Sequence, residues 1–223
     1  MRIGFVSRGT LRAFKEGNAP CDGERADLLL FGFDGVGEVS YEKELKGESD
    51  FFADVALLSK SGKNVVISGC ITDTRGIKRK SAVVAEKGKL LGVSDMLHAL
   101  DGDIGCGAAL KIYDTEQGKM GVVVAEDLFF AENAEALSRC GCDFIVCPFG
   151  RVTDGLQSVL LRAYAFRCGL PVLLCAQGYC MLAEPTGELV FASPKSPVFF
   201  ELKNRKEYHL VETRKRVCFP SQR

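Results

Sequence analysis

Residues 118–150 read GKMGVVVAEDLFFAENAEALSRCGCDFIVCPFG, and three elements follow one another within them. Residues 119–125 form an apolar run of strand length, entered through a turn at Gln117-Gly118. Residues 130–140 read as a helix that stops at Gly141, and residues 143–148 as a further strand. The same alternation extends outward. Upstream, residues 26–31 (ADLLLF) are a buried strand. Residues 41–61 carry Phe51, Val55 and Leu58 at i, i+4 and i+7, which predicts one helix closed by Gly62. Residues 64–71 (NVVISGCI) are the next strand. Residues 81–86 and 89–93 flank Lys87-Gly88 as a hairpin, and residues 108–114 pair with 119–125 across Gln117-Gly118.

Downstream, Asp154 caps a helix over residues 155–168, with Leu156, Val159, Leu160 and Ala163 on one face and Gly169 at its end. Residues 171–176, 179–184, 188–192 and 197–202 read as strands, with a turn at Pro185-Thr186-Gly187. No linker and no internal repeat interrupts the pattern. Residues 1–223 are therefore expected to be one α/β domain, with sheets packed together and helices outside.

Composition narrows the function. Of 223 residues, 47% are hydrophobic, which suffices for a large core and excludes disorder. Lysine plus arginine is 29 and aspartate plus glutamate is 29, so the basic excess of a nucleic-acid binder is missing. Apolar runs such as 121–125 and 171–176 fall far short of the ~20 residues of a membrane span. The opening MRIGFVS reads as a first strand rather than a signal peptide, so a cytoplasmic location is expected.

Cys140, Cys142 and Cys147 cluster, as do Cys168, Cys175 and Cys180, but there is no Cys-x-x-Cys pair and the histidines are only His98 and His209. Cys147, Cys175 and Cys180 sit in apolar runs. The ten cysteines are expected to be reduced and mostly buried, with no metal and no cofactor. The basic stretch of Lys203, Arg205, Lys206, Arg214, Lys215 and Arg216 reads as solvated surface.

The stretch GKMGVVVAEDLFFAE resembles a signature of the carbon–nitrogen hydrolase (nitrilase) superfamily, roughly Gly-Lys-x-Gly-Val-x-Ile-Cys-Tyr-Asp-x-Arg-Phe-Pro-Glu. GCDFIVCPFG at 141–150, RAYAFRCGLPVLLCAQ at 162–177 and EPTGELV at 184–190 continue the resemblance in the family's order, and NVVISG and VVAEKGKLLG match its earlier strand and hairpin. The resemblance implies a four-layer α-β-β-α sandwich of the nitrilase type. It also implies a Glu-Lys-Cys triad: a thiolate attacks a carbonyl or nitrile carbon, glutamate moves the proton, and lysine stabilises the oxyanion.

Carried over position by position, the triad falls on apolar residues. The cysteine position is Ala125, followed by Glu126 and Asp127. The lysine position is Met96, two before His98 in GKLLGVSDMLHAL. The glutamate position is Phe33 in FGFDGVGE, with Asp34 offered by a one-residue slip. Met96 and Phe33 are expected to fill the pocket with apolar volume. Cys106 lies in the loop after the lysine position, a region that lines the pocket in the family, with Asp34, Glu38, Asp103, Glu126 and Asp127 as acids around it. Carboxylates would raise the pKa of that thiol and make it a poor nucleophile. Glu132 matches the end of the signature and reads as structural.

The expectation is a non-catalytic binding or regulatory homologue, with a small amide- or amine-like ligand and neither nucleic acid nor membrane as partner. The alternative is an amidase or nitrilase-type hydrolase with a rebuilt site. A homodimer formed through the helices at 130–140 and 155–168 is also implied by the resemblance.

Overall fold

Apolar strands that bury both faces need cover on both sides, and the order of elements supplies it. The computed structural model describes residues 1–17, 25–100 and 102–203. The first half runs β1 (Arg2–Val6), α1 (Leu11–Gly17), β2 (Leu28–Phe31), β3 (Gly37–Ser40), α2 (Tyr41–Lys46), α3 (Phe51–Gly62), β4 (Val65–Thr74), β5 (Ile77–Glu86) and β6 (Lys89–Asp95). The second half runs β7 (Lys111–Thr115), β8 (Gly118–Val122), α4 (Ala131–Arg139), β9 (Phe144–Pro148), α5 (Leu156–Cys168), β10 (Val172–Ala176), β11 (Tyr179–Ala183), β12 (Leu189–Ser193) and β13 (Val198–Glu201).

Two sheets result. One has the order β13-β1-β2-β4-β5-β6, with β3 pairing the second half of β4 where β2 has ended. The other has the order β12-β11-β10-β9-β8-β7. The period of two along each strand sorts side chains into layers. Ala82 and Val84 of β5 join the cluster between the sheets with Ile3, Phe5, Leu28 and Ile67, facing Met120, Val122, Phe144 and Leu173. Val83 and Ala85 face the other way, onto Phe14 of α1 and Val55 and Leu58 of α3. On the far side, Ile145 and Leu174 pack on Leu137 of α4 and Leu161 and Ala165 of α5. This is the four-layer α-β-β-α sandwich. Each fully buried Phe, Ile or Leu contributes about 1.5–3 kcal/mol, so the inter-sheet layer, with Phe5, Ile3, Leu28, Leu30 and Ile67 all fully covered, stabilises the sandwich strongly.

Three local departures have physical causes. Residues 41–61 form two helices rather than one, separated at Gly47, and the apolar i, i+4, i+7 stripe belongs to α3 alone. The Glu44 carboxylate accepts the N–H groups of Phe51 (3.0 Å) and Phe52 (3.2 Å), which starts the second helix afresh. Gly62 does not cap α3; it is the last helical residue, where a Cβ would meet the Asn64 side chain at 2.5 Å, and Lys63 (φ 49°) takes the left-handed position. Strand β5 begins at Ile77, four residues before the apolar run, because the charged residues of IKRK still pair fully with β4.

Of the described cysteines, Cys70, Cys142, Cys147, Cys168, Cys175 and Cys180 are buried, Cys106 and Cys140 are exposed, and all are free thiols. Among the described residues no helix is long and apolar enough to cross a membrane. Of the basic stretch, all but Lys203 lies outside the described residues.

Candidate functional site

Strand β8 leads through buried Val123 and Val124 into a sharp turn at Ala125, whose φ of +50° is left-handed for a residue with a side chain. Such a conformation costs about 1–2 kcal/mol and persists only where the surroundings impose it. Here they do. A 3₁₀ turn, Ala125–Phe129, follows at once, and Asp127 N–H donates to the Val124 carbonyl at 3.1 Å. The buried Asp127 carboxylate accepts Leu97 N–H (2.7 Å), His98 N–H (2.9 Å) and lies 2.9 Å from His98 Nδ1. The His98 ring stacks on Phe130 at 3.9 Å, and Asn133 Nδ2 donates to the Asp127 backbone carbonyl at 3.0 Å. The elbow is thus fastened from behind to the segment after β6.

In front of the elbow lies a cavity of about 600 Å³, lined by Ala125, Glu126, Phe33, Asp34, Glu38 and Lys80, with Thr10, Gly37, Ile71 and Gly150 completing the wall. Phe33 and Asp34 reach it from the loop after β2. That loop lies directly on Gly69 of β4, where a Cβ would come within 3.0 Å of the Phe33 Cα, so only glycine admits it. The Thr10 hydroxyl, at the start of α1, accepts the Ala13 N–H at 3.1 Å.

Lys80 enters from β5. Its cross-strand partner on β4 is Ile71, and on the other side its carbonyl accepts Met96 N–H at 2.8 Å, next to the Ser81–Asp95 pair. Ile71, Lys80 and Met96 therefore stand abreast, and Lys80 shares the inward parity of Ala82 and Val84. Lys80 Nζ donates to Glu126 Oε1 at 2.7 Å, and both side chains are 23% exposed. Glu126 Oε2 is buried and has no hydrogen-bond partner. Nearer the rim, Lys78 pairs with Glu38 at 2.8 Å with both side chains about half exposed.

The expected site residues divide accordingly. Phe33, Asp34, Ala125 and Glu126 line the cavity. Met96 does not fill it; its side chain is sunk in the inter-sheet core. Asp127 lies behind the elbow, committed to the backbone of Leu97 and His98. Asp103 and Cys106 are exposed and away from the lining. Their loop is drawn along the edge of β5 by Gly105 N–H to the Lys78 carbonyl (2.7 Å), Gly107 N–H to the Met96 carbonyl (2.7 Å) and Arg79 Nε to the Cys106 carbonyl (3.3 Å). Lys80, Thr10 and Ile71 escaped the sequence reading. The parity of Lys80 with the apolar run 82–84 was the signal that could have found it.

Cys147 places its Sγ 4.0 Å from the Ala125 carbonyl, on the side covered by α4 and α5. Burial first, and then Asp127 and Glu126, hold its pKa well above the usual thiol range, so it stays protonated. What faces the cavity is one cation, one partly engaged carboxylate, further acids and an aromatic ring. That set can hold a polar group, and among the described residues of the lining there is no thiol.

The family model described as Carbon-nitrogen hydrolase matches residues 33–197, roughly three-quarters of the chain. A hydrolase of Schizosaccharomyces pombe is 25% identical over 185 residues, covering 70% of this chain and 58% of that protein. The omega-amidase of Saccharomyces cerevisiae is 27% identical over 183 residues, covering 69% of this chain and 62% of that protein. The chain thus spans about six-tenths of the length of these curated relatives. Among solved structures, a mutant of the Nesterenkonia AN1 amidase from the nitrilase superfamily matches with TM-score 0.75 at 15% identity, covering 89% of this chain and 88% of that one. A Saccharomyces cerevisiae member of branch 10 of that superfamily matches with TM-score 0.70 at 17% identity over 89% and 88% of the two chains. At such identities the structures show the shared sandwich alone; the family model, spanning most of the sequence, shows the lineage: this chain belongs to the carbon–nitrogen hydrolase family.

Proposed function

We propose that the protein is a non-catalytic member of the family that binds a small ligand, bearing an amide or amine group, in the cavity before Ala125. The observation that carries this reading is that Ala125, which lines the cavity at the elbow where the resemblance seats a thiol, has only a methyl side chain. Cys147 lies beneath the elbow and Cys106 on an outer edge, so neither takes its place. Removing one member of a coupled catalytic unit costs up to ~10⁶ in turnover, and removing the others adds little. Background rate, rather than slow catalysis, is the expectation.

The test is ammonia release from short amides, nitriles, N-carbamoyl amines and ω-amido acids by the wild-type chain, compared with a heat-killed control. No turnover above control is expected. A thermal-shift panel of small amides and amines supplies the binding arm. A ligand at 100 times its Kd adds about 2.7 kcal/mol of stability and raises the Tm measurably.

A second reading rests on one feature, the Lys80–Glu126 pair, which offers a carboxylate and a cation to a water molecule in place of a thiol. Turnover abolished by Glu126→Gln would establish that reading and overturn the first.

A further inference from the structure

We infer that Lys80 is the ligand-binding cation of this cavity, standing in from β5 for the cation that position 96 lacks, with Glu126 as the residue that positions it. The inference rests on the binding reading above and assigns the residue that would do the binding. Position 96, where the resemblance puts a lysine, carries a methionine buried between the sheets. The residue directly across from it on the neighbouring strand is Lys80, joined by the Met96 N–H to Lys80 carbonyl bond of 2.8 Å. Side chains directly opposite in an antiparallel pair lie on the same face with Cβ atoms about 5 Å apart. Lys80 therefore leaves the sheet on the same face as the side chain at 96, but its ammonium stands at the cavity wall beside Glu126 while Met96 stays in the core.

A chance surface ion pair would look different, and the molecule contains one for comparison. Lys78 and Glu38, two residues nearer the rim, are about half exposed on both sides. Lys80 and Glu126 are three-quarters covered, and Glu126 directly follows Ala125 at the elbow. An ammonium has three donors, and Glu126 Oε1 takes one. Glu126 Oε2 stays buried without a partner, a state that costs free energy unless something occupies it. An open donor and an open acceptor thus lie side by side at the cavity wall. Lys80 is placed to donate to a carbonyl or carboxylate oxygen of a ligand over the Ala125 methyl, and Glu126 Oε2 to accept from a neighbouring N–H.

The potential at that point can be read with a thiol introduced by Ala125→Cys in the full chain, because a thiolate there carries its charge where the ligand oxygen would sit. The measurement is the pH profile of its alkylation by iodoacetamide, followed at that one position by peptide mass mapping so that Cys106 and Cys140 do not contribute. A cation within a few ångströms lowers a pKa by about 1–3 units. Adding Lys80→Met is therefore expected to raise the midpoint by a unit or more, which slows alkylation at pH 7 by about tenfold or more. Adding Lys80→Arg should keep the original midpoint, and Lys78→Met should leave it in place. If the methionine double variant does not fold, Lys80→Gln answers the same question. A midpoint unmoved by neutralising Lys80, or moved equally by neutralising Lys78, overturns the inference. Wild-type turnover in the ammonia assay would instead remove the binding reading while leaving the position of the cation untouched, so the two failures are separable.

Discussion

Ala125 and Asp127 stand two residues apart on opposite sides of one elbow, and their surroundings differ. Behind the elbow, the Asp127 carboxylate meets the backbone of Leu97 and His98, and His98 stacks on Phe130. Cys147, the thiol beside Ala125 on that side, is buried and protonated. In front, the wall combines a methyl, a phenyl ring, three carboxylates and one lysine, and one buried carboxylate oxygen lacks a partner. The contrast teaches that fixing the backbone of this loop and furnishing the cavity wall are done by different residues. The first is complete in this chain without the side chain that the family resemblance assigns to the second.

The largest expected effect tests how dry the buried thiol sites are, both beside the elbow at Cys147 and in the layers of the sandwich at Cys70, Cys175 and Cys180. Burial pushes Cys70 and Cys180 up to about 12 from an ordinary 9.0, and Cys147 and Cys175 are also raised well above it. These thiols keep their protons in the folded chain where the unfolded chain loses them. Above pH 9 the unfolded state therefore binds fewer protons, and stability falls as pH rises; below pH 9 the contribution is fully present. Each such group removes about 1.4 kcal/mol per pH unit above its unfolded pKa, so several together remove several kcal/mol. Urea midpoints at pH 7.5, 9.5 and 10.5 under reducing conditions should fall steeply. A flat series would mean that the thiols are hydrated.

Next in size is the clamp. Asp127→Ala deletes an acceptor shared by two backbone N–H groups and the His98 ring, leaving those donors without a partner in a covered place. The expected cost is about 3 kcal/mol. For a chain of this length that is a Tm drop of roughly 6–12 °C by calorimetry. A drop of a degree or two would show that the 3₁₀ turn holds the elbow unaided.

The sandwich was legible from the sequence because buried strands are strong signals, and ADLLLF, VVVAE and DFIVCP each bury an unbroken apolar run. The inward face of α5 was not, since Leu156, Val159 and Ala163 are exposed while Gln157, Leu161, Tyr164 and Ala165 are buried. The short β3 was not legible: in four residues it buries only Val39, too little to form a pattern. The pocket was read in part. Phe33, Asp34, Ala125 and Glu126 lie on stretches whose place follows from strand ends. Asp103 and Cys106 were misplaced because their loop is set by backbone bonds to Lys78 and Met96, which no side-chain pattern announces. Lys80 was overlooked for a related reason. In IKRK every second charge faces inward, and a run of charges reads as a solvated face until the register with Ile71 fixes its parity.

The smallest effect concerns the front of the elbow. Ala125 holds a left-handed backbone, φ +50°, with almost no exposure. Ala125→Gly removes the steric cost of that conformation, about 1–2 kcal/mol, and also removes a covered methyl group worth about 0.8 kcal/mol. Glycine's larger loss of backbone freedom on folding opposes the gain by a further 0.5–1 kcal/mol or so. The terms nearly cancel, so the unfolding midpoint should move by about 1 kcal/mol or less, far below the Asp127→Ala effect two residues away. Ala125→Val meets the opposite situation, since a β-branched side chain fits a left-handed backbone poorly, and it should destabilise clearly. The pair of variants, compared by urea denaturation, asks whether the turn is imposed by the clamp or chosen by residue 125. If Ala125→Gly stabilised the chain by several kcal/mol, the elbow would be a strained conformation that the surroundings barely hold, and the separation between the two sides of the loop would not stand.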